Sequence, residues 1–221
     1  MIAVCMLFTS CLHPISIDNC GYVVVIGVDE GAEERYEITF ELQRESSGEA
    51  QENNGGAIIL SVEVKDIFDA VNIISRGIEY DLNFTRTHAL IFSEKIARNG
   101  EIGDFMDFSF DVLRIRRSAL MIVTECGVRE YIGGLAANND ANIAKLQDDL
   151  ISDMEMTGEL AAINIAHFLE ACEEGRFDAV MPVGHYDGEI ITDTKQHDSA
   201  SKATIRSRMR KEESGSAVCR G

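Results

Sequence analysis

The stretch Gly21–Asp29, GYVVVIGVD, decides the fold. It is an almost unbroken run of β-branched residues that starts at a glycine and is followed by a turn-like Glu-Gly, a pattern typical of a buried strand. Residues 35–42, RYEITFEL, alternate apolar and polar side chains, as a half-buried strand does. Only a short acidic loop separates the two segments, so they predict a β-hairpin with its first strand inside the protein.

The rest of the chain, read outward from this hairpin, predicts strands interspersed with helices. Polar residues 43–56 predict a flexible excursion, and Ser93 is placed as the N-cap of a short helix that ends at Asn99-Gly100. Further strands are predicted at 57–64, 88–92 and 118–124, helices at 65–76, 93–97, 102–112, 128–135, 146–156 and 159–174, and an extended stretch at 179–182. This order predicts an α+β (mixed α/β) fold, with helices covering a central, mostly antiparallel or mixed sheet.

The pattern of elements dissolves after Pro182, and this divides the chain into three parts. Residues 1–10 are interpreted as the remnant of a signal peptide, 11–183 as an N-terminal α/β domain, and 184–221 as a linker with the truncated start of a second domain. The third part is mostly polar and ends in a basic tail, which we interpret as a solvated segment.

Composition excludes several classes of function. The chain has 221 residues, of which 45% are hydrophobic, so it has enough apolar side chains for a sizeable core. Its formal net charge of −18 would repel a polyanion, and nucleic-acid binding is therefore disfavoured. The six cysteines are scattered without a CxxC pair, which gives no support for a zinc site or a disulfide framework.

The N-terminal stretch LFTSC, residues 7–11, has the order of a lipoprotein processing site: an apolar run, then small residues, then a cysteine. In such a site the thiol of Cys11 would carry diacylglycerol. Phe8 stands where leucine is usual, and no Lys or Arg precedes Cys11, although signal peptides normally open with positive charge. From these residues alone, a lipidated Cys11 and a plain hydrophobic N-terminus are both open.

A search for catalytic and metal-binding patterns returns only weak candidates. The phosphate-binding, zinc-protease and nucleophile-elbow motifs are absent from the sequence. His88 and Cys126 could form a nucleophile pair only if the fold brought them together, and the simpler interpretation of His88 is a hydrogen-bonded histidine in the core or at a strand edge. The acidic loop 29–34 could attract Ca²⁺ but is more typical of a solvated turn, and Arg114–Arg117 is more typical of a solvated face or ion pairs.

Several stretches in a fixed order carry a resemblance. They are Cys11 followed by the strand at 23–29, the strand at 36–42, the helix at 66–76, the block HALIFSEKIARNG at 88–100, and Arg114-Ile115-Arg116 leading into the strand at 120–124. In this order they resemble the C-subunit lipoproteins of bacterial spore germinant receptors, the Ger(x)C family. The resemblance covers about residues 7–183, and the ordered series rather than any single motif carries it.

The resemblance implies a non-enzymatic, lipid-anchored subunit of a nutrient germinant receptor, with a role in assembly or signal coupling and without a cofactor or metal. It implies two integral membrane subunits as partners, attachment to membrane lipid through acylated Cys11, and a place on the outer face of the spore inner membrane. Family members are longer, so we expect this chain to be C-terminally truncated. Two alternatives stay open: an extracytoplasmic lipoprotein that binds small molecules, and a thiol-dependent enzyme using Cys126 or Cys172 beside a histidine.

Overall fold

A computed structural model describes residues 20–44, 57–138, 164–174, 181–185 and 204–206. The strands are β1 (Cys20–Glu30), β2 (Tyr36–Arg44), β3 (Ile58–Val64), β4 (Asp81–Asn83), β5 (Ala89–Ser93), β6 (Leu120–Thr124), β7 (Val183–His185) and β8 (Thr204–Arg206). The helices are α1 (Ile67–Gly77), α2 (Glu94–Arg98), α3 (Glu101–Leu113), α4 (Val128–Asn138) and α5 (Ile165–Glu174). The predicted β1–β2 hairpin and the predicted strands at 57–64, 88–92 and 118–124 are confirmed.

All the described strands join one mixed sheet in the order β3-β2-β1-β5-β6-β7-β8, with β4 paired to β1 beside the start of that strand. The β1–β2, β2–β3 and β7–β8 pairs are antiparallel, whereas β1, β5, β6 and β7 run parallel. Strand β1 therefore lies inside the sheet and is buried from Cys20 to Val28. Burial on both faces explains why its sequence is a continuous apolar run rather than an alternation. The predicted α+β class is confirmed.

Helices cover both faces of the sheet and divide the core in two. On one face, α1, α2, α3 and α5 pack on a large apolar cluster that includes Phe40, Phe92 and Phe105. On the other face, α4 packs Val128 and Ile132 on the sheet in a smaller cluster. The aromatic rings of Phe92 and Phe105 meet edge to face, with centroids 5.8 Å apart, which is a preferred aromatic geometry.

A β-bulge in β1 organises the centre of the sheet. The pairing with β2 shifts between Val23 and Val25, and as a result the consecutive residues Val24 and Val25 both enter the smaller core. The connection from β4 to β5 bonds to β1 at the same place. The Thr87 hydroxyl donates to the Val23 carbonyl at 3.0 Å, and the His88 amide donates to the Val24 carbonyl at 2.8 Å. The bulge thus holds the connection between β4 and β5, the two strands that pair with the same side of β1.

Three strands and one helix boundary differ from the predictions. Strands β4, β7 and β8 were not predicted, because each has three residues and is defined by its pairing rather than by a local pattern. The helix predicted at 159–174 starts at Ile165, since Asn164 forms a β-bridge with Leu120 and its side chain accepts a hydrogen bond from the His167 amide. That correction follows the usual behaviour of asparagine, which prefers the cap to the helix interior.

Other predictions fall partly or wholly outside the described residues. Residues 45–56 of the excursion predicted at 43–56 lie there, whereas residues 43–44 belong to β2. The helix predicted at 146–156 also lies outside the described residues. Strands β7 and β8 extend the sheet beyond Pro182, where the sequence pattern had dissolved. The limits of the predicted domains stay a prediction.

Candidate functional site

The predicted lipid attachment residue, Cys11, lies outside the described residues, so its acylation stays a prediction. The structure does place the point where the described chain begins. Cys20 opens β1 and pairs with Asp81 of β4. Because β1, β5 and β6 are parallel, Cys20 lies at the end of the sheet where those strands start, which we call the amino end. The opposite end, with the β1–β2 turn, is the carboxyl end.

His88 lies at the amino end and serves the architecture there. Its amide holds the β1 bulge, and Leu120 donates its own amide to the His88 carbonyl at 2.8 Å. The half-buried imidazole lies 3.0 Å from a guanidinium nitrogen of Arg116, measured to Nδ1. The interpretation of His88 as a hydrogen-bonded strand-edge histidine is confirmed.

The hypothesis that His88 and Cys126 form a nucleophile pair is wrong. Ala89 is paired with Leu120, so His88 precedes the shared register of β5 and β6, whereas Cys126 follows its far end. The five paired residues alone separate the two side chains by roughly 16 Å. Cys126 is partly buried, and its sulfur lies 3.1 Å from the Thr124 hydroxyl. The side chain of Cys172 lies outside the described set, so apart from the pairing of Cys126 with His88 the thiol hypothesis stays a prediction.

The arginine-rich turn before β6 also lies at the amino end. Arg114 follows α3 in a left-handed conformation, with φ of 55°, and turns the chain toward the sheet. Ile115 is buried, whereas Arg114, Arg116 and Arg117 are exposed. The Arg117 carbonyl accepts a hydrogen bond from the Ala166 amide, which fixes the turn against the start of α5. The prediction of a solvated face is confirmed.

The acidic turn between β1 and β2 is held by carboxylates that bond to backbone. The Glu63 carboxylate accepts the amides of Glu33 at 2.9 Å and Glu34 at 3.4 Å, and these bonds lower the pKa of Glu63. Asp29 accepts the amide of Val128 at 3.2 Å, at the start of α4. The turn is exposed, as the prediction of a solvated hairpin turn requires. Within the described ranges, no group of three or more His, Cys, Asp or Glu could hold a metal ion.

A cleft of about 540 Å³ opens beside this turn, between α3 and the connection from β3 to α1. Its lining residues combine a charged rim with an apolar floor: Arg35, Tyr36, Lys65, Asp66, Ile67, Asp104 and Phe105. Arg35 contacts Glu101 at 3.3 Å and Asp104 at 3.4 Å, and its guanidinium lies 4.8 Å from the centre of the Tyr36 ring. Burial raises the pKa of Tyr36 to about 12, so the phenol stays protonated and can donate. These groups suit binding of a small polar molecule.

Glu41 is a functional candidate that the sequence did not indicate. It lies on β2 and is only 3% exposed, and its Oε2 has no hydrogen-bond partner among the residues that the structure describes. Burial raises the pKa of this carboxyl to about 7. In the alternating sequence of β2 the position is polar, which is typical of the solvent face, but α4 and the neighbouring strands enclose that face. No local signal could have revealed this burial.

Comparison with known proteins identifies the family. A family model described as the spore germination protein N-terminal domain matches residues 14–186. The chain belongs to this family. The match confirms the resemblance drawn from the ordered stretches and assigns the chain a role in spore germination. No curated protein and no solved structure matches the chain significantly.

In this spore germination domain, the stretches that carried the resemblance are mainly structural. Asp66 opens α1 and accepts the amides of Phe68 and Asp69 at 2.9 and 3.0 Å. Ser93 accepts the Ile96 amide at the start of α2, and Gly100 precedes α3 with φ of 74°, a conformation that favours glycine. These residues of the stretches therefore fix helix ends. Within the described ranges, no helix is long and apolar enough to cross a membrane.

Proposed function

We propose that the protein is a lipid-anchored subunit of a nutrient germinant receptor, which acts in spore germination by assembly or signal coupling rather than by catalysis. The observation that carries this proposal is the family match over residues 14–186, together with the lipobox-like stretch that ends at Cys11. The partners we propose are the integral membrane subunits of the receptor. The place we propose is the outer face of the spore inner membrane.

The position of β1 is compatible with an anchor at Cys11. Cys20 opens the first described strand and comes nine positions after Cys11. A chain of that length spans at most about 30 Å when fully extended, so an acylated Cys11 would keep the domain close to the lipid surface. Diacylglycerol has two acyl chains, which satisfies the usual need for more than one chain in stable attachment.

A non-catalytic role is supported by what residues in the stretches that carry the resemblance do. Asp66, Ser93 and Gly100 fix helix ends, and His88 bonds to the sheet and to Arg116. None of these contacts has the form of a nucleophile beside a base. We therefore assign these residues to building the domain, and we propose that the receptor partners recognise its surface.

A genetic experiment tests the proposal as a whole. The gene is deleted from its native host, and the spores are exposed to single nutrients. We expect loss of germination in response to at least one nutrient, with restoration by the intact gene. Spores that retain their response to every nutrient, while dipicolinic acid release proceeds at the normal rate, would contradict a receptor role.

The cleft beside Arg35 favours a second candidate function, an extracytoplasmic lipoprotein that binds small molecules. Its floor is apolar and its rim offers both charges, with Lys65 exposed at the edge. Thermal shift measurements with a panel of amino acids, sugars and nucleosides would test it. A stabilisation that is lost in Lys65→Ala but kept in Lys95→Ala, outside the cleft, would support binding there. Equal shifts in both variants would argue against it.

A further inference from the structure

Charge is distributed unevenly between the two ends of the sheet. At the carboxyl end, the β1–β2 turn and the starts of α2 and α3 are strongly acidic, and their cations are engaged in ion pairs: Lys95 with Glu30, Arg98 with Glu94, and Arg35 with Glu101 and Asp104. At the amino end, four exposed arginines lie on two neighbouring connections: Arg86 between β4 and β5, and Arg114, Arg116 and Arg117 between α3 and β6. In a chain of net charge −18, this is an unusual local excess of positive charge.

The fold holds these arginines at the amino end. Arg86 stacks on the Tyr22 ring, with its guanidinium carbon 3.9 Å from the ring centre, beside the start of β1. Arg116 contacts His88 at the start of β5, and Arg117 is tied by its carbonyl to α5. Arg114 follows α3, which runs back from the acidic end. We call Arg86, Arg114, Arg116 and Arg117 the basic end patch.

Among the described side chains, two acidic ones lie near the same end: Glu79 just before β4 and Asp81 in it. Both are exposed. Both lie on the β4 side of the patch, as Arg86 does. The turn that carries Arg114, Arg116 and Arg117 is therefore the most positive part of the patch. The described side chains of the patch therefore keep an excess of positive charge even when these carboxylates are counted.

We propose that the basic end patch docks on the anionic headgroups of a lipid membrane and sets the orientation of the domain there; this rests on the proposed attachment of the chain to a membrane. Two separate observations meet at this end. The arginines collect there, and the chain enters β1 there at Cys20, after the segment that contains Cys11. Guanidinium groups bind phosphate oxygens with paired donors, and lipid headgroups present such oxygens in a plane.

The orientation has a consequence for the acidic end. Docking through the amino end directs the β1–β2 turn, with Glu33 and Glu34, away from the membrane and keeps most of the negative charge far from anionic lipid. The cleft beside Arg35 then opens on the side remote from the surface. Charge asymmetry of this kind favours one orientation over the others because like charges are separated by more than a Debye length.

Tethered vesicle binding tests the proposal without using native acylation. The full chain, with Cys11→Ser and a hexahistidine tag before Met1, is held on vesicles that contain a nickel-chelating lipid. The imidazole concentration that releases half of the protein is measured on phosphatidylcholine vesicles and on vesicles with about one-third phosphatidylglycerol. We expect stronger retention on the anionic vesicles, lost at high salt because ions screen the contact.

Two double variants with the same change in net charge make the test specific. Arg114→Gln with Arg117→Gln removes charge from the patch, and Lys95→Gln with Arg98→Gln removes it from the carboxyl end. Each arginine near an anionic surface contributes about fivefold to partitioning, so the first pair should lower the preference for anionic vesicles by roughly tenfold or more. The second pair should leave it unchanged.

Equal losses in both double variants, or no preference for anionic vesicles in the parent, would overturn the docking surface. Circular dichroism of both variants confirms that each is folded before comparison. Failure here is separate from failure of the anchor, because the tag replaces the acyl group: acylation of Cys11 can be real while the patch proves inert.

Discussion

Glu41 of β2 lies opposite Val25 of β1, with its carboxyl group buried in the apolar layer beneath α4. On its other side it pairs with Ile59 of β3. Burial in this place raises the pKa of Glu41 to about 7, since the carboxyl is removed from water and no described residue donates to its Oε2. Ionisation of Glu41 near neutral pH therefore destabilises the folded protein.

Replacing this carboxyl should make the protein more stable above neutral pH. The folded-state pKa of about 7 lies above the ordinary value of 4.5, so the folded protein binds the proton more tightly than the unfolded chain. Stability should therefore fall as pH rises from about 4.5 to about 7 and stay reduced above that. Glu41→Gln should recover at most about 3 kcal/mol at pH 8, as measured by urea unfolding.

The matched control for Glu41 is Glu37→Gln, on the same strand but half-exposed. It removes a carboxyl from β2 but keeps the buried one, so the fall in stability between about pH 4.5 and 7 that Glu41 causes should persist. If Glu41→Gln has the same slope of stability against pH as the parent between pH 4.5 and 7, the buried carboxyl does not titrate as described.

A methyl group at Gly27 should push α4 off the sheet. A Cβ there would collide with the Val128 side chain and lie 2.8 Å from the Ile132 Cδ1. Gly27→Ala should therefore cost about 1–3 kcal/mol, the usual effect of overpacking. Gly133→Ala, within α4 where a Cβ meets nothing within 4 Å, should instead stabilise by up to about 1 kcal/mol. Opposite signs in chemical denaturation would confirm the close packing of α4; a neutral Gly27→Ala would refute it.

Removing the α1 cap should weaken the domain. Asp66 accepts two amides of the first turn, so Asp66→Ala should lower the free energy of unfolding by about 0.5–2 kcal/mol. Asp66→Ser should restore most of the loss because serine is also a good N-cap. Asp69→Ala, exposed on the same turn, is the control. An Asp66→Ala variant no less stable than Asp69→Ala would show that the cap contributes little.

Thr87 should contribute through its hydroxyl rather than its shape. Its Oγ1 donates to the Val23 carbonyl in a fully buried setting. Thr87→Val keeps the volume but leaves that carbonyl without its side-chain donor, at a cost of about 1–3 kcal/mol. Hydrogen exchange should then rise most at the His88 amide, next to the bulge. Unchanged protection of that amide would mean that the hydroxyl does not hold the β4–β5 connection.

The sequence predicted elements with strong local patterns and missed those defined by distant partners. The continuous apolar run at 21–29 and the alternation at 35–42 specify β1 and β2, and Ser93 marks the start of α2. Strand β4 is three residues long and exists through its pairing with β1, which no local pattern encodes. The burial of Glu41 likewise depends on α4, almost ninety residues further along the chain.

The candidate sites follow the same rule. The arginines of the basic end patch are spread between residues 86 and 117, and only the parallel pairing of β1, β5 and β6 brings them to one end. The same pairing places His88 and Cys126 at opposite ends of β5 and β6, although the sequence alone would allow them to form a nucleophile pair. Family membership was accessible from sequence because the order of elements, including their caps, is itself a sequence pattern.

The most direct test of the central claim is lipid labelling of Cys11. The chain with its native N-terminus is expressed in a Gram-positive host fed labelled palmitate, in parallel with Cys11→Ala and with Cys5→Ala, a second cysteine of the same segment. The account predicts label in the parent and in Cys5→Ala, and none in Cys11→Ala. Equal label in Cys11→Ala and the parent would contradict it.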